Sequence, residues 1–132
     1  MVQCNIDLYI LCNIQYNAIN GDDMDMDRSI DNLILELRRG VIVLGVLSQL
    51  DEERYGYALI NRLKEKGLEV DQGTLYPLLR RLESQGLLKS NWRIEADRPR
   101  RYYVLSPKGR ELLPRLRTEW AEIVSVMSKM TK

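Results

Sequence analysis

Five arginines offer this chain its most evident chemistry. Arg80 and Arg81 belong to the stretch Gly73 to Leu88, GTLYPLLRRLESQGLL, and Arg98, Arg100 and Arg101 crowd the polar run that follows Ile94. Guanidinium groups gathered in this way suit phosphates, or a groove lined by them. On a helix of about 3.6 residues per turn, Leu75, Leu78, Leu79 and Leu82 fall within one arc. Gly73, Pro77, Arg80 and Ser84 fall opposite, with Tyr76 and Arg81 flanking them. Asp71 is placed to cap the start and Gly86 to end the helix, which is expected over about Gln72 to Gln85 with a slight bend at Pro77. Taken alone, this helix has a plain alternative, because any amphipathic helix of a small domain keeps leucines inside and arginines outside.

Other chemistries are poorly served. The 132 residues contain no histidine, and the only cysteines are Cys4 and Cys12. That excludes His-dependent triads, His-ligated metals and a four-cysteine zinc site, and no paired Asp/Glu constellation replaces them. An enzyme, a metal site and a cofactor are therefore not expected. With 45% hydrophobic and 30% charged residues, the chain suits one soluble domain large enough for its own core. It lacks an 18-residue apolar run and an opening secretion signal, so a cytoplasmic protein with no membrane partner is expected. The net charge of +1 hides an asymmetry. Residues 1–32 hold Arg28 against six aspartates, while the remaining hundred hold 19 basic and 13 acidic residues, −5 against +6. A basic body is what a polyanion binder needs, although many ordinary domains reach such a charge.

The elements that must position these arginines read as follows. Apolar residues occupy the even positions from Val2 to Tyr16, a strand pattern, and Ala18 to Asp27 has a linker's Gly, Asn and Asp content. An accessory strand, a loose tail and the product of an upstream start codon all remain open for this part, since Met24 or Met26 could open the chain. From Leu33 to Leu50 the spacing of Leu37, Val41, Leu44 and Leu47 predicts a helix apolar nearly all round. Such a helix needs burial on two sides, as the domain centre or in an oligomer interface. Asp51 to Arg54 reads as a charged connection and Tyr55 to Lys66 as a second short helix, with Leu59 and Leu63 inward and Gly67 as its left-handed cap. Two short helices joined by a tight glycine-containing turn are a helix-turn-helix, whose second helix enters the major groove of DNA.

After Gly86 the period changes to two. Leu88, Ser90, Trp92 and Ile94 share one face of a strand, and Arg101 to Leu105 (RYYVL) is its hairpin partner across a polar loop, Glu95 to Arg100. A hairpin directly after a helix-turn-helix is a wing, whose arginines Arg98, Arg100 and Arg101 either reach DNA or solubilise a loop beside Glu95 and Asp97. Ser106 and Pro107 then start a last helix. Its stripe of Leu112, Leu116, Trp120, Ile123, Met127 and Met130 calls for a partner, either the same helix of a second copy or the first helix of its own chain. Pro114 predicts a kink or a break near Arg110 to Leu113. The expected fold is mainly α with a small β-hairpin, a winged helix-turn-helix with a C-terminal dimerisation helix. Residues 1–32 form an N-terminal extension, 33–105 the DNA-binding domain and 106–132 the dimerisation helix.

The segments GYALINRLKEKG, GTLYPLLRRLESQGLL and RRYYVLSPKGRELL resemble the PadR family of transcriptional regulators, over Glu36 to about Met130. The single helix after the wing is similar to the family's smaller subgroup. The resemblance implies a homodimer formed by the first and last helices, and the helical spacing puts Leu37, Val41, Leu112, Leu116, Trp120, Ile123 and Met127 at that interface. The resemblance also implies a repressor on a DNA operator, released in many members by a small aromatic or cationic effector, and the two-fold dimer makes an inverted repeat in double-stranded DNA the expected operator. It puts DNA contacts on Tyr55, Thr74, Tyr76 and the wing arginines, whereas Arg80 and Arg81 are assigned by helix geometry and charge. Trp120, mirrored across a two-fold axis, offers a flat-walled slot for the effector, or is a plain packing residue. The alternative function is a winged-helix module for protein contacts that does not bind DNA.

Overall fold

The structure, a computed structural model, describes residues 26–132, with side chains from Arg28 onward. The alternating segment from Val2 to Tyr16, its two cysteines and the linker up to Asp25 lie outside the described residues. The elements are helix α1 (Met26–Gln49), strand β1 (Arg54–Tyr55), α2 (Gly56–Glu65), α3 (Gln72–Ser84), β2 (Leu88–Glu95), β3 (Arg98–Leu105) and α4 (Pro107–Met130). The chain divides into two compact units between Val41 and Ile42.

Helix α1 begins at Met26 rather than at Leu33. Asp27, Asp31 and Asn32 dilute the apolar period there, yet acidic residues suit the opening turns of a helix, where the macrodipole is positive. In the first unit Ile30, Leu33, Ile34, Leu35 and Leu37 are all exposed. In the second unit Ile42, Val46, Leu47 and Leu50 are buried, at the spacing of a single helical face.

That face joins one core with Leu59 and Leu63 of α2, Val70 of the turn, Leu75, Leu78, Leu79 and Leu82 of α3, Leu88, Tyr103 and Leu105 of the sheet, and Leu113 of α4. The four α3 leucines are the arc that the helical period predicts. Burial of each stabilises the domain by about 1.5 to 3 kcal/mol, which holds α3 in place and leaves its opposite face free. Asp71 caps α3 by accepting from the Thr74 N–H at 3.2 Å. Gly67 and Gly86 close the preceding and following turns at φ +96° and +80°, a conformation costly to any residue with a Cβ.

The sheet is antiparallel with order β1-β3-β2. Its first strand is a departure from the sequence reading, which gives Arg54 to a connection and Tyr55 to a helix. Arg54 pairs with Tyr103 and Tyr55 with Tyr102. Two residues are too few to show an alternation, so only the neighbouring strand defines them. The wing is also longer than expected. β2 and β3 pair in register from Leu88↔Leu105 out to Glu95↔Arg98, and the loop read over Glu95 to Arg100 shrinks to Ala96 and Asp97, at φ +48° and +62°. Two consecutive left-handed residues give a hairpin turn whose twist matches the strands. Pro99 is tolerated in β3 because β1 stops short of it, leaving one edge open.

Ser106 caps α4, its hydroxyl accepting from the Gly109 N–H at 3.0 Å and donating to the Gly86 carbonyl. Of the kink or break expected near Arg110 to Leu113, the break does not occur, and α4 is one helix through Pro114. Arg110 and Pro114 are both exposed, so water can take up the carbonyl that the proline leaves without a donor.

Candidate nucleic-acid interface

The free face of α3 presents Gln72, Gly73, Thr74 and Arg80 to solvent. Tyr76 is half-buried, and its ring lies against the first residue of α2. A Cβ on Gly56 would overlap that ring, so this glycine is what lets the tyrosine pack there. Arg81 turns inward, half-buried, with its Nε closed off from solvent and without a hydrogen bond.

The wing is bolted to the body by its arginines. Arg101 reaches Glu83 of α3 at 2.6 Å and donates through Nε to Ser90 Oγ at 3.0 Å. Its guanidinium also lies 5.7 Å from the Trp92 ring centre and 5.5 Å from that of Tyr103. Arg100 stacks on Tyr55 at 4.5 Å and lies 3.5 Å from Glu95. Arg93 pairs with Glu53 and covers Tyr102 at 4.6 Å, and Tyr102 meets Tyr55 edge-on at 5.5 Å. Each contact stabilises by about 1 kcal/mol or less, but together they fix the wing relative to β1 and α3. By contrast, Arg80 and Arg98 are exposed, with no ion-pair or hydrogen-bond partner among the described residues.

Hydrogen bonding by Glu95, followed by burial, raises Tyr102 above the ordinary phenol pKa, and burial raises Tyr103. Both phenols are therefore neutral at neutral pH, where the charge of the wing is set by its arginines and carboxylates.

Tyr55, Tyr76, Arg80, Arg98, Arg100 and Arg101, six of the eight residues expected to touch DNA, line one open concavity of about 690 Å³. Thr74 and Arg81 are not among its lining residues. Tyr57, Gln72, Trp92 and Pro99 also border it, and the sequence reading assigns none of them a DNA contact. For Tyr57 the only signal in the sequence is its place two residues after the expected Tyr55. Aromatic faces and cations around an open cleft suit a sugar-phosphate backbone.

The residues expected at a dimer interface are distributed differently. Leu37 is 75% exposed and Val41 half-buried in the first unit. In α4, Leu112 is half-buried and Leu113 reaches the core, but Leu116, Trp120, Ile123, Met127 and Met130 are exposed in the single chain. Among the described residues no cluster of His, Cys, Asp and Glu could hold a metal ion, and no helix is long and apolar enough to cross a membrane.

Comparison with known proteins bears on this architecture. The model of the PadR-like transcriptional regulator family matches residues 43–115, more than half of the chain. The transcriptional regulator Rv3488 of Mycobacterium tuberculosis is 42% identical over 79 residues, 59% of this chain and 74% of that protein. The crystal structure of a PadR family transcriptional regulator from Eggerthella lenta superposes with a TM-score of 0.75 at 42% identity, over 83% of this chain and 97% of that one. A transcriptional regulator from Clostridium thermocellum superposes at 0.68 with 29% identity, over 74% of this chain and 99% of that one. A winged helix whose tyrosines and arginines meet around one cleft, in a chain matched across that whole region, belongs to the PadR-like family of DNA-binding transcriptional regulators.

Proposed function

We propose that the protein is a homodimeric repressor that binds an inverted-repeat operator in double-stranded DNA and is released by a small aromatic or cationic molecule. In this reading residues 33–105 carry the DNA contacts, 106–132 form the dimerisation helix, and the protein acts in the cytoplasm beside its operator. The observation that carries the reading is the gathering of Tyr55, Tyr76, Arg80, Arg98, Arg100 and Arg101 around one concavity. With α3 in the major groove, the flanking backbone would run through this cleft, between Arg80 on one side and the wing on the other. The uncovered stripe of α4 supports the dimer, because a row of apolar side chains this long is stable in water only when covered.

DNA fragments retained by the purified protein are expected to share an inverted repeat with half-site centres about 34 Å apart. Retention should weaken linearly with log salt as counterions are released. A protein that retains no DNA at low salt would instead be the protein-contact module, its basic face meeting an acidic partner.

The effector reading rests on Trp120, half-exposed on the stripe. Two copies facing across a two-fold axis would make a slot that holds a planar cation by stacking and cation–π attraction. Trp120→Ala is expected to abolish quenching of the protein's fluorescence by planar cations while the dimer survives. Quenching that persists in the variant would move the ligand elsewhere, with Trp92 as the remaining reporter.

A further inference from the structure

One face of β2 begins in the core and ends as an apolar blade. Leu88 is 3% exposed, Ser90 is half-buried, Trp92 is 65% exposed and Ile94 81%. Directly opposite Ile94 in the ladder stands the exposed Pro99, and the chain reverses just beyond, at Ala96 and Asp97. Residues two apart on a strand share a face, and so do cross-strand partners. Trp92, Ile94 and Pro99 therefore form one continuous apolar strip on the outermost part of the wing. A single exposed isoleucine would need no explanation, but a contiguous strip on a protruding tip does.

The surroundings of the strip indicate what covers it. Arg101 stands at its foot opposite Trp92 and is held by Glu83, Arg93 and Arg100 face each other on the other side of the hairpin and are held by Glu53 and Glu95, and the exposed Arg98, without an ion pair among the described residues, flanks the turn that contains Asp97. Guanidiniums around an apolar tip, one open to pairing and three able to exchange a carboxylate for a phosphate, suit a ligand with anionic rims and an apolar floor. A duplex minor groove has that character, with phosphates along both edges and sugars and stacked bases between them. The strip is also continuous with the proposed DNA face, since Trp92 and Pro99 border the same concavity as Tyr76 and Arg80.

On the reading that this face binds DNA, we infer that the Ile94–Pro99 pair is a minor-groove wedge that unstacks a base step flanking each half-site. Dimensions decide the form of the contact. Two strands lie about 5 Å apart and their side chains roughly double that width, whereas the minor groove of B-DNA is about 6 Å wide. The hairpin tip enters only where the groove opens, and isoleucine and proline are among the side chains that open it, kinking the duplex toward the major groove. Pyrimidine–purine steps deform at least cost. The wing thereby selects sequence at positions where it makes no hydrogen bond.

The probe is a duplex selected from a randomised pool by the full-length protein, with 2-aminopurine placed at one flanking adenine at a time. The wild-type protein is expected to raise the fluorescence at one flanking step. Ile94→Thr, which keeps the β-branched preference of the strand, should lose that rise and bind the intact duplex about tenfold more weakly. On the same duplex carrying a mismatch at that step, it should bind within about twofold of wild type. Pro99→Ala, on the partner strand, should fail in the same way even if one of the two variants folds poorly. Bound DNA with silent 2-aminopurine at every flanking position overturns the wedge and leaves the DNA reading intact. Equal weakening on intact and mismatched duplexes also overturns it. A change in sedimentation of Ile94→Thr without DNA would overturn it too, giving the strip to a second copy. Failure to retain any duplex from the pool overturns the wedge together with the reading on which it rests.

Discussion

Ile123→Asp combined with Met127→Asp is expected to convert the protein to a monomer and to weaken its grip on a full inverted repeat by about 10² to 10⁴-fold. Both side chains are exposed on α4 of the single chain, on the same stripe as Leu116 and Trp120. Covering an aliphatic side chain of this size yields about 1.5 to 3 kcal/mol, and the two-fold axis doubles every contribution. An aspartate in the same place contributes nothing apolar and must be desolvated against its own image, a cost of several kcal/mol. The fall in operator affinity comes from linkage alone, since each monomer keeps an intact α3 and wing. Binding to an isolated half-site should therefore change by less than about twofold. Sedimentation velocity together with gel shifts on full and half operators checks both parts. A variant that remains a dimer would place the interface elsewhere, with the exposed Leu33 and Leu37 of α1 as the next surface to test.

Tyr76→Ala is expected to lose discrimination between operator and random DNA by about 1 to 3 kcal/mol, the value of a base contact. Gly56→Ala should reproduce that loss with the tyrosine still present, because the added methyl occupies the place of its ring. Arg80→Ala with Arg98→Ala should behave differently. These two cations have no ion-pair partner among the described residues and can engage phosphates without giving one up. Removing them should flatten the salt dependence by about one unit of slope for each phosphate no longer neutralised in a subunit, on operator and random DNA alike. Arg100→Ala and Arg101→Ala should move the slope less. Glu95 and Glu83 already neutralise these guanidiniums, and a phosphate must displace a carboxylate to engage them. Arg101→Ala should instead loosen the wing, which a melting curve and the fluorescence of Trp92 would register. A gel-shift series across salt separates the three classes. If all of these variants bind as wild type does, the concave face is not where DNA sits.

The parts of this structure that follow from local rules were legible in the sequence. The arc of Leu75, Leu78, Leu79 and Leu82, the caps at Asp71 and Ser106 and the glycine stops at 67 and 86 each depend on residues within a turn or two. What escaped depends on partners far along the chain. Arg54 and Tyr55 are a strand only because β3 lies beside them. Glu53 and Glu83 look like solvated surface charges until the fold brings them to Arg93 and Arg101, 40 and 18 residues away. Gly56 opens a segment that carries the family resemblance, but nothing near it in the sequence gives its role, which is the space it leaves for a side chain 20 residues further on. Pro99 reads as part of a loop and Pro114 as the site of a kink or a break, yet β3 and α4 continue through both. Proline reads as a breaker by default, but an open sheet edge and a solvent-facing helix side both accommodate it.

The turn at Ala96 and Asp97 gives the wing a property separate from its charge. Both residues are left-handed without being glycine, which costs about 1 kcal/mol or more each, and the strain is held by the ladder behind them. The hairpin is thus under tension at its far end, while its near end is secured by Arg101 and Ser90. An Asn-Gly pair in the same two positions would relieve that tension without altering any side chain on the apolar strip or any of the arginines around it. The strain in the wing can therefore be changed by its turn alone, independently of what the wing touches.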